Sequence, residues 1–126
     1  MNTHTQNLLQ IRPVLPVEPA DDSEMAHFQV YTLRPVLKMQ NELILDIFKD
    51  YLQEVKMDFS KRSEKQQRDF IENALTKQNS LKFTLIGTVI GHFTSEEYTF
   101  YQSHRQEITK RLVRFLSKRI FEGMSL

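Results

Sequence analysis

The stretch that most constrains this chain is Thr94 to Gly123, because its pattern fits one kind of element only. Thr94 and Glu97 have capping-box spacing, in which hydroxyl and carboxylate each satisfy an orphan backbone N–H at a helix start. Acids come first (Glu96, Glu97) and bases last (Lys110, Arg111, Arg114, Lys118, Arg119), as a helix dipole favours. Gly123 is placed to end the helix in a left-handed conformation. One long amphipathic helix over 94–123 is predicted. On a helical wheel centred on Ile108, Tyr101, Leu112 and Phe115 lie close beside it, with Tyr98 and Leu116 on one flank. Arg105 and Arg119 project onto this same apolar face.

Earlier in the chain, Pro13, Pro16 and Pro19 recur every third residue, which favours extended backbone. Residues 1–22 are therefore read as an extended Pro-rich arm, loose at its start. The apolar Leu8 to Val17 stretch is expected to lie against a helical surface. Asp22 or Ser23 can cap a helix through Leu33, which Pro35 should kink or break near Arg34. Helix resumes to about Lys56, with Leu33, Leu37, Ile44, Ile47, Phe48, Tyr51 and Val55 on one face. Gln40 and Asn41 edge that stripe as boundary residues or as buried polar groups in need of partners. Ser60 or Ser63 caps a thinner amphipathic helix over 64–78. Leu81 to Phe93 looks locally like a strand, rich in Ile, Val, Thr and Phe. Nothing else in the chain offers it a partner strand, so a short buried helix is predicted instead. Gly87 and Gly91 would give that helix a smooth strip for close packing.

The predicted fold is all-α: a single-domain bundle of four to five helices over 23–126 behind the extended arm, with 36–56 and 95–122 as its long pair. The longest mainly apolar stretch is about 13 residues, against roughly 20 for a membrane span, so no membrane association is expected. The chain contains no Cys, which removes disulfides and thiolate chemistry and suits a reducing, cytoplasmic setting. No secretory leader pattern opens it.

Several stretches together resemble a known family: Leu33-Arg34-Pro35-Val36 with Gln40-Asn41, Phe70-Ile71-Glu72-Asn73-Ala74, Asn79-Ser80-Leu81-Lys82, and Ile90-Gly91-His92-Phe93-Thr94 with Glu97-Tyr98. The chain is similar there to small bacterial proteins of unknown role, some of which carry an automatic glyoxalase label. The resemblance spans roughly residues 8–126 and implies a helical fold with no established activity. The label fits poorly, since glyoxalase-type enzymes present metal ligands from paired βαβββ modules and this chain has too few strand-like runs to build them.

Candidate chemistry is sparse. The four histidines, His4, His27, His92 and His104, form no metal-ligand pair, and three glycines make no phosphate loop. No metal, cofactor or catalytic residue is expected. Arg105, in mid-helix on an apolar face, needs an edge to reach or a partner in a cleft; Glu72, Gln40 and Asn41 are candidate partners, as a polar network or an anion pocket. His104, Arg111, Arg114 and Lys118 form an adjacent basic strip, the candidate nucleic-acid contact of an alternative reading. Net charge is +1, yet residues 1–60 carry five Lys/Arg against nine Asp/Glu while residues 61–126 carry twelve against seven. Opposite halves attract within a fold or across a dimer. The expectation is a non-enzymatic interaction or assembly protein, homodimeric, with nucleic-acid binding and a small anionic ligand or enzyme site near Arg105 as alternatives.

Overall fold

A computed structural model describes residues 2–125, and all regular secondary structure among them is helical. Helix α1 (Thr3–Gln10) is a departure from the extended arm. Asn2 caps it, its Oδ1 accepting from Thr5 N at 2.7 Å. The prolines bar helix only from about residue 12 onward and leave the first ten residues free to coil. The arm is thus extended only after Ile11. It is also less buried than its composition suggests: Leu8 is buried, but Ile11 is exposed and Val14 is 97% exposed.

Ser23 caps α2 (Glu24–Phe28), its hydroxyl accepting from Ala26 N. The disturbance expected at Pro35 is present but does not break the rod. A π turn over Gln29–Leu33 leads directly into α3 (Arg34–Met39), with Arg34 N bonding to Gln29 O five residues back. Widening the turn before a proline accommodates a ring that would otherwise crowd the carbonyl four residues earlier. The chain breaks instead at Gln40, whose side chain donates to Thr88 O at 3.0 Å. Helix α4 (Asn41–Glu54) follows, buries Ile44, Phe48 and Leu52, and leaves Val55 exposed.

A single 3-10 turn (Phe59–Lys61) buries Phe59, and Ser63 then caps α5 (Glu64–Lys77) in a full capping box with Gln66. The strand-like stretch is helical, as expected: α6 (Asn79–Ile90), with Leu85 and Val89 at 0% exposure. Burial on several sides lets an Ile/Val/Leu-rich segment stay helical against its β propensity. Gly87, however, faces open space, and a Cβ built there meets nothing within 4 Å. The glycine strip does not pack on a neighbour.

Thr94–Glu97 forms the predicted capping box. The long helix it opens is interrupted, giving α7 (Ser95–Ser103) and α8 (Arg105–Met124). Ser103 Oγ bonds back to Thr99 O, and His104 stacks on Phe100 at 4.2 Å with Nδ1 3.0 Å from Phe100 O. Such side-chain bonds to the previous turn compete with continuation of the helix. Gly123 does not end α8 and has no positive φ. It is small because Leu45 is near: a Cβ at Gly123 would sit 2.6 Å from Leu45 Cδ2.

These interruptions turn the expected four or five helices into a larger set of shorter segments. Helices α4 and α5 each pack on both α6 and α8, and α6 and α8 also pack on each other, so this pair forms the centre with α4 and α5 on either side. Ile108, Leu112, Leu116 and Ile120 of α8 are all at 1% exposure or less. Phe48 of α4 meets Phe59 and Phe70 edge-on at 5.7 and 6.3 Å, and Phe28 meets Phe93 at 5.6 Å. Among the described residues no helix is long and apolar enough to cross a membrane.

Candidate functional site

The polar groups expected around Arg105 do not converge. Arg105 is exposed, its guanidinium 5.4 Å from the Tyr101 ring centroid. The helix break at His104 puts it in the first turn of α8, beyond the buried part of that face. Gln40 is engaged with Thr88 O, and Glu72 is exposed in a groove beside the middle and end of α8, which Arg105 does not line. Asn41 does receive an arginine, but it is Arg119, whose Nη1 donates to Asn41 Oδ1 at 3.3 Å. Arg119 is half-buried beside Arg34 of α3. Burial and the Arg34 charge pull its pKa below the usual arginine value, against the opposing effect of Glu122.

The basic strip is likewise divided. Arg111 turns toward the π segment, donating to Gln29 Oε1 at 2.6 Å and Glu107 Oε1 at 2.9 Å. His104 is held against Phe100. Arg114 and Lys118 face the other way, into a groove of about 540 Å³ between α5 and α8. Ile71, Val113 and Phe121 give the groove an apolar floor, and Arg68, Lys110, Arg114 and Lys118 line it against the acids Glu72 and Glu122. Arg68 lies 3.9 Å over the Phe121 ring, stacked rather than extended into solvent. Two of the four strip residues thus join two cations from elsewhere. Lys110 shares a helix with them, and Arg68 is brought by α5.

A third cluster had no full signature in sequence. Glu97, the capping-box carboxylate, also receives both Nη atoms of Arg12 (2.6 and 2.5 Å), Thr32 Oγ1 at 2.6 Å and its own partner Thr94 N at 2.8 Å. The same guanidinium donates to His92 O at 2.7 Å. The Arg12 side chain is 6% exposed and that of Glu97 17%. Burial pushes the Glu97 pKa up, but hydrogen bonds from Arg12, Thr32 and Thr94, with the Arg12 charge, outweigh it and hold the carboxyl below its ordinary value. Every oxygen of this cluster is used by the protein itself, so it ties the arm to α7 rather than awaiting a ligand. The capping box was visible in sequence. The arginine 85 residues away was not, because a bidentate pair across that separation leaves no periodic trace.

Among the described residues no group of three or more His, Asp or Glu side chains is arranged to hold a metal ion. Among the described residues, the α5–α8 groove combines an apolar floor with charged walls of mostly one sign. The chain matches no protein-family model, no curated protein and no solved structure.

Proposed function

We propose that the protein is a non-enzymatic assembly module that binds copies of itself, the α5–α8 groove of one copy receiving the acidic outer face of α4 from another. The observation that carries this reading is charge complementarity on exposed surfaces. The groove offers four cations against two acids over an apolar floor. Helix α4 exposes Glu42, Asp46, Asp50 and Glu54 at four-residue steps, with Leu43 beside them at 45% exposure. Asp50 and Glu54 also line the α4–α6 seam. That seam and the α5–α8 groove share no lining residue and are separate patches of the molecule. The contact is therefore head-to-tail, with a dimer as its first step and a ring or short chain as its continuation. The resemblance to small helical bacterial proteins of unknown role belongs to the same proposal, since it implies this kind of fold and no established activity.

Light scattering tests the reading. At low salt and roughly tens of micromolar protein, the mass should exceed the 15.0 kDa monomer and grow with concentration. It should return to the monomer at about 0.5 M salt, where exposed charges are screened, and in the double variant Arg114→Glu, Lys118→Glu. A strict monomer at low salt removes the reading. If that monomer instead binds a random-sequence DNA duplex in a salt-sensitive way that the double variant loses, the groove serves nucleic acid.

A further inference from the structure

On the neighbouring face of the bundle, two arginines share a pocket and, among the described residues, neither is in an ion pair. Arg34 comes from the first turn of α3, directly after the π turn that Pro35 imposes, and Arg119 from the last third of α8. Both line a concavity of about 370 Å³ with Leu37, Asn41, Phe115 and Lys118, within the size range of small-molecule sites, about 300–1,000 Å³. Among the described residues no carboxylate lies within 4.0 Å of either guanidinium, although four such ion pairs exist elsewhere. Glu122, the acid of this pocket, is outnumbered by three cations.

Two polar atoms of the pair and its neighbour lack a protein partner among the described residues. Asn41 accepts from Arg119 through Oδ1, which leaves its Nδ2 without a protein partner among the described residues. Arg34 Nε is buried with no hydrogen-bond partner, and the guanidinium lies 5.6 Å from the Phe115 centroid. Two like charges held side by side and partly out of water are unfavourable unless something offsets them. An anion accepting from both forks and from the amide would do so. Three cations suit a dianion better than a single carboxylate, and a phosphate group presents enough oxygens to accept from two forks and an amide at once. The half-buried Phe115 ring gives the pocket an apolar side beside its charges, which a bare inorganic ion would leave unused.

We infer that the Arg34–Arg119–Asn41 pocket binds the phosphate group of a small organic phosphate monoester. This stands apart from the assembly reading, which uses a different face and shares only Lys118 and Glu122 with it.

Calorimetric and NMR titrations of the full chain with phenyl phosphate, inorganic phosphate and succinate test the inference. Phenyl phosphate should bind more tightly than inorganic phosphate, and both more tightly than succinate. Arg34→Met and Arg119→Met should each weaken phenyl phosphate binding about tenfold or more, the loss of a charge-assisted hydrogen-bond pair, while Arg105→Met leaves it unchanged. Asn41→Asp guards against loss of fold, because it places a carboxylate beside Arg119 in the pocket that Arg34 also lines. It should raise the melting temperature and abolish phosphate binding. The inference is overturned if Asn41→Asp binds phenyl phosphate as tightly as the parent, if folded arginine variants do so, or if none of the probes shifts resonances of Arg34, Asn41 and Arg119. Succinate binding best would also overturn it, assigning the pocket to dicarboxylates.

Discussion

Glu97 shows how one side chain acquires a second task when the chain folds. Locally it closes a capping box with Thr94; in the folded molecule the same two oxygens also anchor Arg12 and Thr32. Its folded pKa is held below the ordinary value of 4.5. The charged form therefore stabilises the fold above about pH 4.5, and that contribution is lost as pH falls through the lowered folded pKa. Glu97→Gln leaves Arg12 buried without its counter-charge and should cost about 2–4 kcal/mol near neutral pH. Urea titrations of parent and variant should show this gap narrowing as the pH is lowered from about 5 through the lowered folded pKa. A gap that stays constant over that range would show that Glu97 does not titrate differently in the folded and unfolded chains. Arg105 and Arg119 carry the complementary lesson. Both project onto one face of an ideal wheel, but the break at His104 leaves the first in solvent while the second meets Asn41. Wheel position alone does not say which part of a face is covered.

At the scale of elements, the differences from expectation come from interruptions and not from the type of structure. Pro35 is absorbed by a π turn, Gln40 ends a rod that periodicity alone would continue, and Ser103 with His104 divide α7 from α8. Each interruption depends on where side chains find partners, such as Thr88 O for Gln40. The two glycines illustrate the same point from opposite sides. Gly87 is exposed in mid-helix with room for a methyl group, so Gly87→Ala should stabilise the monomer by about 0.5–1 kcal/mol through helix propensity. Gly123→Ala should not show that gain, since its Cβ would press on Leu45 Cδ2 at 2.6 Å and the two effects oppose each other. Thermal melts of both variants, taken at low concentration, give the comparison. Equal stabilisation by both would mean that Leu45 moves aside freely.

Across the whole molecule, the N-terminal segment is tied into the bundle by one buried leucine and one buried ion pair. Deleting residues 1–12 removes Leu8 and Arg12 together, leaving a small apolar gap and an unpaired Glu97. The melting midpoint should fall by about 10 °C or more, and adding Glu97→Gln to the truncated chain should cost much less than in the full one, because the two changes share one interaction. An unchanged midpoint would make the segment a dispensable tail. The groove between α5 and α8 and the Arg34–Arg119 pocket also belong to this scale, each being assembled from residues more than thirty positions apart. The sequence by itself determined the helical class, the Thr94 N-cap, the caps of α2 and α5 to within two candidates each, and the apolar positions of the last helix, since these rest on contacts within about four residues and on periodicity. Only the tertiary structure decided which polar groups meet. Arg12 with Glu97, Arg119 with Asn41 and Arg34, and Arg68 beside Arg114 and Lys118 are pairings across 46 to 85 positions, set by how helices cross, and hydrophobic periodicity carries no information about them.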